Sequence, residues 1–258
     1  MPSILAYAAL VVSPKDRFVT VYGRKPVLEA LADESLTIDK VVLAEGSRGP
    51  VVSQIRKAAR ARGVPVTTAS AHRVKVLAGN GKQDQGVLAD VVAPRMRPLA
   101  DALDKDAPRR MVLLDGITTP ANVGMILRTA TAAGIDGVIV PRRGVASIDP
   151  LVVKASAGVA FRAPMLRCAT AVEAARAVAD AGYALYALAA DAEHSVFTAP
   201  LADRAVFVLG SETAGIGPDV RKMVTAELSI PMRGGVESLN VAAAAAVLCF
   251  ELVRRDLA

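Results

Sequence analysis

The residues best suited to chemistry lie in segment 230–246, where polar side chains lead into an apolar stretch. A glycine pair at 234–235 permits a tight turn or a close approach to a ligand. Ser238 and Asn240 follow at the start of a predicted alanine-rich helix, where unpaired backbone N–H groups add to their hydroxyl and amide groups. The pattern predicts a polar binding edge. The alternative is an ordinary glycine turn followed by a capped helix.

A second polar set follows a predicted strand at 111–114. Asn122 lies at or near the N-cap of a helix predicted over 123–133, whose apolar residues recur at i, i+3, i+4 and i+7. Helical side chains lean toward the N-terminus, and Gly124 leaves room for Arg128 to reach down toward Asn122. The spacing therefore predicts an amide and a guanidinium at one sheet edge. The alternative is a helix cap and a surface arginine.

The third polar set is Gly210, Glu212 and Gly215, directly after an apolar strand predicted at 206–209. A carboxylate between glycines superficially suggests a phosphate loop. The segment lacks Gly-Lys-Ser/Thr and does not fit GxGxxG, so it predicts neither a P-loop nor a dinucleotide fingerprint. A generic nucleotide-dependent α/β enzyme is therefore disfavoured.

The elements that carry these residues alternate between apolar strands and helices, which predicts a parallel sheet covered on both faces. Strands are predicted at 111–114, 137–140, 184–188, 206–209 and 228–230. Helices are predicted at 123–133, 150–156, 171–181, 216–223 and 239–255. Because ligands bind such sheets at the carboxyl ends of the strands, we expect the three polar sets to meet there.

A smaller α/β unit is predicted over residues 17–93, and a proline-rich, charged linker that could hold a short helix follows at 94–109. Within the unit, helices are predicted at 27–32, 51–62 and 71–78, and strands at 40–43, 64–66 and 85–92. Residues 1–16 are interpreted as a tail or an extra strand, not a signal peptide, because no cation precedes the short apolar run.

The positive charge is unevenly distributed. The net charge is +6, and residues 1–96 carry 14 Lys and Arg against 8 Asp and Glu, whereas residues 97–258 carry 17 of each kind. Five of the cations cluster around one predicted helix: Arg48, Arg56, Lys57, Arg60 and Arg62. A basic unit beside a neutral one predicts a polyanion-binding part. The alternative is a solvated helix face.

Composition excludes several other classes of site. Aromatic residues make up 3% of the chain and Trp is absent, so platforms for stacking splayed bases are scarce. Cys168 and Cys249 lie in apolar segments, which predicts free thiols in a reducing compartment. Two histidines without a Cys/His cluster predict no metal site. No apolar run reaches membrane-spanning length without charges or Gly/Pro breaks.

Taken together, the three polar sets resemble the signature motifs of the SpoU/TrmH family of RNA ribose 2'-O-methyltransferases, within the SPOUT superfamily. The matching residues are Pro120, Asn122, Gly124 and Arg128 in the first motif, Gly210, Glu212 and Gly215 in the second, and Ile230-Pro-Met with Ser238-Leu-Asn-Val in the third. Segments 21–31 and 85–89 resemble the substrate-binding domain of the 23S rRNA guanosine ribose methyltransferase branch. Asp84 stands where that family often has His.

The resemblance implies an α/β SPOUT-type parallel sheet with a deep trefoil knot in residues 110–258, preceded by a ribosomal-protein-like RNA-binding domain at 17–93. It implies S-adenosylmethionine as cofactor, held by Gly210, Ile230 and Leu239. It also implies a cytoplasmic homodimer with the active site at the subunit interface, acting on RNA, with 23S rRNA favoured. A tRNA ribose methyltransferase and a non-catalytic RNA-binding or ribosome-assembly factor remain alternatives.

The implied reaction is attack of a ribose 2'-hydroxyl on the sulfonium methyl group. In the family, the residue that matches Arg128 is proposed to activate the hydroxyl. Because a guanidinium stays protonated, we expect Arg128 to hold the adjacent phosphate and to stabilise the developing alkoxide instead. Asn122 and Asn240 are expected to orient the ribose, and Ser238 and Glu212 to fix the loops.

Overall fold

The computed structural model describes residues 16–79, 83–105 and 107–257. The tail predicted at 1–16 therefore lies outside the described residues, apart from Asp16. Among the described helices, none has both the length and the apolar character needed to cross a membrane. Within the same ranges, no three His, Cys, Asp or Glu side chains come together in a way that could hold a metal ion.

The N-terminal part contains a four-stranded sheet with three helices. Its strands are β1 (Phe18–Tyr22), β2 (Ile38–Ala44), β3 (Val66–Ala69) and β4 (Val87–Val92), in the order β1-β4-β2-β3. Its helices are α1 (Arg24–Ala32), α2 (Pro50–Ala61) and α3 (Ala71–Ala78). The strands β1 and β2 run antiparallel to β4, and β3 runs parallel to β2. Apolar side chains on alternate faces pack under α1 and α2 on one side and under α3 on the other.

Most local predictions for this part hold, with two differences. The strand β1 was not predicted, although Val19 and Val21 alternate with half-buried residues as expected for a strand. The strand predicted at 64–66 lies instead at Val66–Ala69, because α2 ends in a turn that continues through Gly63. Asp84, at the position where the family often has His, accepts a hydrogen bond from the Gly86 N–H at 2.8 Å and stabilises the turn into β4.

The C-terminal part contains an eight-stranded sheet in which every pair of neighbours is parallel. Its strands are β5 (Arg97–Pro98), β6 (Arg110–Leu114), β7 (Gly137–Pro141), β8 (Met165–Cys168), β9 (Ala184–Leu188), β10 (His194–Ser195), β11 (Ala205–Leu209) and β12 (Ala226–Ser229). The order is β10-β12-β9-β11-β6-β7-β8-β5. The predicted α/β fold with a parallel sheet is therefore confirmed.

Helices cover both faces of this sheet. They are α4 (Leu99–Lys105), α5 (Pro120–Ala132), α6 (Pro150–Ala155), α7 (Ala171–Asp180), α8 (Pro218–Arg221) and α9 (Val241–Asp256). Met111 and Leu113 of β6 face the core under α7, whereas Val112 and Leu114 face the core under α5 and α9. The central strands β6, β7 and β11 are thus buried on both sides, which explains their continuous apolar runs in the sequence.

Part of the segment predicted as a linker, 94–109, belongs to the larger sheet instead. Arg97 and Pro98 pair with β8 as an edge strand, and α4 buries Leu99 and Ala102 against the core under α7. Charge and proline content suggested an exposed connection, but two apolar residues one helical turn apart are enough to dock this short helix.

The path of the chain through this sheet creates a crossing point. From β9 the chain reaches β10 at the far edge, returns to the middle as β11 between β9 and β6, and leaves again for β12. The strand β6 consequently has β7 on one side and β11 on the other. In open α/β sheets, a change of direction of this kind opens a crevice at the carboxyl ends of the strands.

Candidate active site

A cavity of about 290 Å³ lies at the carboxyl ends of β9, β11 and β12. Its lining includes the residues predicted to hold the cofactor, Gly210, Ile230 and Leu239, together with Glu212 and Ser238. The volume is at the lower end of the range for small-molecule pockets, roughly 300–1,000 Å³. Two of the three polar sets defined by sequence therefore share one cavity.

The remaining polar set, which follows β6, reaches this site through Asn122. Asn122, Glu212 and Asn240 form a hydrogen-bonded network, which we call the amide–carboxylate network. The Asn122 Nδ2 donates to Glu212 Oε1 at 3.3 Å. The Asn240 Nδ2 donates to Asn122 Oδ1 at 3.1 Å and also to Glu212 Oε1. The Val241 N–H donates to the same Glu212 oxygen at 3.2 Å. One carboxylate thus joins the loops after β6, β11 and β12.

Asn240 is the N-cap of α9, which begins at Val241 and not at 239 as predicted. Its Oδ1 accepts hydrogen bonds from the N–H groups of Ala242 at 2.9 Å and Ala243 at 3.4 Å. Glu212 lies at the same helix end, where a negative charge is stabilised by the helix dipole. The start of α9 is therefore held by one neutral and one charged acceptor.

Asn122 lies deeper than predicted. Thr119 is the N-cap of α5 and Pro120 is its first residue, so Asn122 is inside the first turn. Its side chain is only 6% exposed, and burial of an amide requires hydrogen-bonding partners. Glu212 and Asn240 supply them.

Arg128 is on the same helix but does not join this network. Its side chain is exposed, and in the described part of the chain it makes no hydrogen bond or ion pair. Gly124 has a different reason for being glycine from the one predicted. A Cβ there would lie 2.6 Å from the Ala155 Cβ and 2.7 Å from the Val152 carbonyl oxygen, so the glycine permits α5 to pack against α6.

The loop after β11 requires glycine for a similar reason. A Cβ on Gly210 would lie 2.3 Å from the Gly215 carbonyl carbon, because the loop folds back in a bridge between Ser211 and Gly215. Asp115, after β6, accepts a hydrogen bond from the Gly217 N–H at 2.7 Å and fixes the far end of this loop. The backbone of Gly210 is thereby exposed to the cavity without a side chain in front of it.

The lining also contains residues that the sequence reasoning did not select: Leu188, Ala189, Ala190, Asp191, Arg221 and Glu227. The first four follow β9, and the rule that ligands bind at carboxyl ends of parallel strands would have found them. Arg221 donates to both carboxylate oxygens of Glu227, at 2.5 and 2.9 Å, and this carboxylate raises the pKa of the Arg221 guanidinium. The pair joins α8 to β12.

The cysteines are not catalytic nucleophiles. Burial raises the pKa of the Cys249 thiol to about 12 and that of the Cys168 thiol to about 11. Neither side chain is a thiolate at neutral pH, and the thiolate is the reactive form. Both are free cysteines, as predicted.

Fold and site together define an open, parallel α/β protein that binds a small ligand beside a network of two amides and a carboxylate. The model of the SpoU rRNA Methylase family matches residues 109–250, and a model of the RNA 2'-O ribose methyltransferase substrate-binding domain matches residues 20–97. The chain belongs to the SpoU rRNA methylase family. The predicted activity, RNA 2'-O-methyltransferase, is confirmed.

Individual relatives are similar to this protein over nearly the whole chain. It is 32% identical over 241 residues to the 23S rRNA (guanosine-2'-O-)-methyltransferase RlmB of Xanthomonas axonopodis pv. citri, covering 92% of this chain and 96% of that protein. It is 35% identical to an uncharacterized tRNA/rRNA methyltransferase of Mycolicibacterium vanbaalenii, covering 91% and 76%. The AdoMet-bound rRNA methyltransferase of Sinorhizobium meliloti superimposes with a TM-score of 0.63 at 27% identity, covering 94% and 88%.

Proposed function

We propose that this protein transfers a methyl group from S-adenosylmethionine to the ribose 2'-hydroxyl of a guanosine in 23S rRNA. The observation that carries the proposal is the amide–carboxylate network beside a small-ligand cavity, in a chain of the SpoU family. The choice of 23S rRNA rests on the RlmB relative, whose similarity extends through both sheets.

The residues present fit S-adenosylmethionine. Gly210 would hold it through backbone groups, since a side chain there would collide with Gly215, and Ile230 and Leu239 would enclose it from the loop after β12. When bound, this cofactor supplies an electrophilic methyl group on its sulfonium. The relative from S. meliloti, solved with AdoMet, supports the same cofactor here.

The two asparagines have different roles in the amide–carboxylate network. Both Nδ2 hydrogens of Asn240 are engaged by Asn122 and Glu212, and its oxygen caps α9, so Asn240 is a positioning residue. Asn122 keeps one amide hydrogen beyond its bond to Glu212, and this hydrogen is available to a ribose oxygen. Glu212 fixes the loops, and Ser238 lines the cavity beside them.

Arg128 carries the chemistry at the hydroxyl. An arginine guanidinium presents a planar set of N–H donors that matches a phosphate, so Arg128 holds the phosphate next to the target ribose and stabilises the alkoxide as it develops. A phosphate oxygen or a water molecule accepts the proton. The exposed position of Arg128 suits a group that meets RNA from outside.

The proposed active unit is a homodimer. Met125 and Phe250 are 40% and 51% exposed, and they lie on α5 and α9, two helices that pack against each other. Apolar side chains exposed on neighbouring helices favour a protein partner. Because Arg128 is on α5 as well, a second subunit at this surface would border the site.

The proposed fold includes the deep trefoil knot within residues 110–258. Supporting it are the insertion of β11 between β9 and β6 and the return of the loop after β12 to Asn122. Residues 17–93 would form the substrate RNA-binding domain, which the match at 20–97 supports. We place the enzyme in the cytoplasm, in keeping with its free cysteines.

The substrate assignment is tested by mapping ribose methylation in total RNA from cells with and without this gene. Loss of one 23S rRNA guanosine methyl group, restored by the purified enzyme with S-adenosylmethionine, is the expected result. Loss of a tRNA methyl group with an unchanged rRNA map would overturn the substrate. Binding of the cofactor in calorimetry without methyl transfer to any RNA would favour the non-catalytic alternative.

A further inference from the structure

The helix α2 presents a row of cations that the catalytic site does not use. Arg56, Lys57 and Arg60 are exposed on one side of this helix, and we call them the α2 basic stripe. The adjoining side buries Val52, Ile55 and Ala59 in the core. The stripe therefore follows from the 3.6-residue period, which separates the charged and apolar residues of α2 onto two faces.

The structure separates this stripe from another arginine that is nearby in sequence. Arg62 reaches back to the end of α1, where its guanidinium donates to the carbonyl groups of Ala30, Leu31, Asp33 and Leu36. Ala30 and Leu31 are in the last turn of α1, where carbonyl groups lack a partner within the helix, so Arg62 is a structural cap. Arg62, one member of the basic cluster identified in the sequence, therefore stabilises the fold.

The charges of the stripe are unpaired, in contrast to those of Lys40 on β2 and Lys25 on α1. Lys40 forms ion pairs with Asp39 and Asp90, and Lys25 lies 3.9 Å from Glu29. Between residues 16 and 79, no ion pair or hydrogen bond engages Arg56, Lys57 or Arg60, and α2 itself contains no acidic residue. Unpaired cations on one helix face are the electrostatic footprint of a polyanion.

We propose that the α2 basic stripe binds the phosphate backbone of the RNA substrate; this inference rests on the proposed function. Arg56 and Arg60 are one turn apart, about 6 Å along the helix axis, so their side chains can contact successive phosphates. Contacts of this kind position the RNA and do not read its sequence. The stripe supplies affinity, and the catalytic site selects the ribose.

The test compares two matched double variants of the full-length protein. R56Q/R60Q removes two charges from the stripe. R73Q/K75Q removes two exposed charges from α3, on the opposite face of the same sheet. Gln has nearly the same helix propensity as Arg and Lys, so both variants should fold, which circular dichroism verifies. Filter binding of protein-free 23S rRNA is measured against salt concentration, without cofactor.

For R56Q/R60Q, we expect the slope of log K against log salt to decrease by about 1.4, since each phosphate contact contributes about 0.7. The KM for RNA should rise about tenfold, whereas the kcat at saturating RNA and the Kd for S-adenosylmethionine stay unchanged. R73Q/K75Q should retain the wild-type slope.

Equal changes in both variants, or an unchanged slope in R56Q/R60Q, would overturn the assignment of the stripe. Normal methylation of protein-free rRNA combined with failure on ribosomal particles would also overturn it, and would assign the stripe to a protein partner. These results are independent of the proposed function, which fails only if the wild-type enzyme methylates no 23S rRNA.

Discussion

Glu212 joins residues that are far apart in the sequence. Its Oε1 accepts from Asn122, 90 residues away, and from Asn240 and Val241, 28 and 29 residues away. A carboxylate that accepts several hydrogen bonds holds its donors more firmly than a neutral acceptor would. Glu212, in the third polar set, therefore brings the first and second polar sets together at the cavity.

At the residue scale, Arg128→Ala should lower kcat/KM about 100-fold or more and leave the Kd for S-adenosylmethionine unchanged, because the proposed mechanism would lose its donor to the developing negative charge. Arg128→Lys should lower kcat/KM at least about tenfold, since an ammonium lacks the planar pair of N–H donors that a guanidinium presents to a phosphate. Single-turnover methylation and calorimetry measure the two quantities.

The matched control is Arg176→Ala on α7, an exposed arginine on the other face of the sheet, which should behave as wild type. Near-normal turnover of Arg128→Lys would exclude a specific guanidinium role. Equal losses of cofactor binding and turnover in Arg128→Ala would make the role of Arg128 structural.

At the element scale, the contact between α5 and α6 depends on the absence of a side chain at Gly124. Gly124→Ala should gain about 1 kcal/mol from helix propensity but lose about 2–3 kcal/mol by overpacking, for a net destabilisation of about 1–2 kcal/mol. Turnover should also fall, because Asn122 lies in the same helix turn as the displaced residue. Urea unfolding measures whether the substitution stabilises or destabilises the protein. A stabilised variant would contradict the close contact with Ala155 and Val152.

The end of α9 is held by an ion-pair network. Buried Glu251 accepts from Arg254 and Arg255 at 2.8 Å, and Arg255 also donates to the carbonyls of Val196 and Ala199. The hydrogen bond from Arg254, followed by that from Arg255, lowers the pKa of Glu251 from 4.5 to about 2. The network therefore links the last helix to the loop after β10.

This lowered pKa makes the stability of the protein depend on pH in a defined direction. The folded state favours the ionised form, so the contribution of Glu251 is complete above about pH 4.5 and is lost as the pH falls toward about 2. Glu251→Gln should cost about 2 kcal/mol at neutral pH. In urea unfolding, the difference between wild type and variant should shrink below about pH 4.5. If the difference in unfolding free energy between wild type and Glu251→Gln stayed constant down to about pH 2, ionisation of Glu251 would be excluded as its cause.

At the scale of the whole molecule, side-chain contacts join the two sheets. The Tyr22 hydroxyl of β1 donates to Asp149 Oδ2 at 3.0 Å, and Asp16 forms an ion pair with Arg142 after β7. The other oxygen of Asp149 caps α6 by accepting from the N–H groups of Leu151 and Val152. Asp149 therefore links the smaller sheet to the helix that packs on Gly124.

The two roles of Asp149 can be separated by measurement. Tyr22→Phe removes the hydroxyl that donates to Asp149 and should cost about 1 kcal/mol. Asp149→Ala also removes the helix cap and should cost about 2 kcal/mol. Both free energies come from urea unfolding of the full-length chain. Equal costs would mean that the cap contributes nothing, and an unaffected Tyr22→Phe would mean that the sheets are held by other contacts.

The sequence alone determined most of the helices and, apart from β1, the strands of five or more residues. The strand Ala184–Leu188 and the helix Ala71–Ala78 have the predicted bounds, because continuous apolar runs, the 3.6-residue period, caps and glycine stops act over a few neighbours. The two-residue strands β5 and β10 and the four-residue β8 were not predicted, since so few residues show no period. The three polar sets were found by sequence because each follows the end of a strand.

Only the tertiary structure decided how these pieces combine. Strand order placed β11 between β9 and β6, and that order brings Glu212 to Asn122 and Asn240. The same level of structure assigned Arg62 to a helix end and Gly124 to a helix contact. Local patterns specify which face of an element is apolar, but not which partner covers it. Partner choice depends on the shape and hydrogen bonding of groups that only folding brings together.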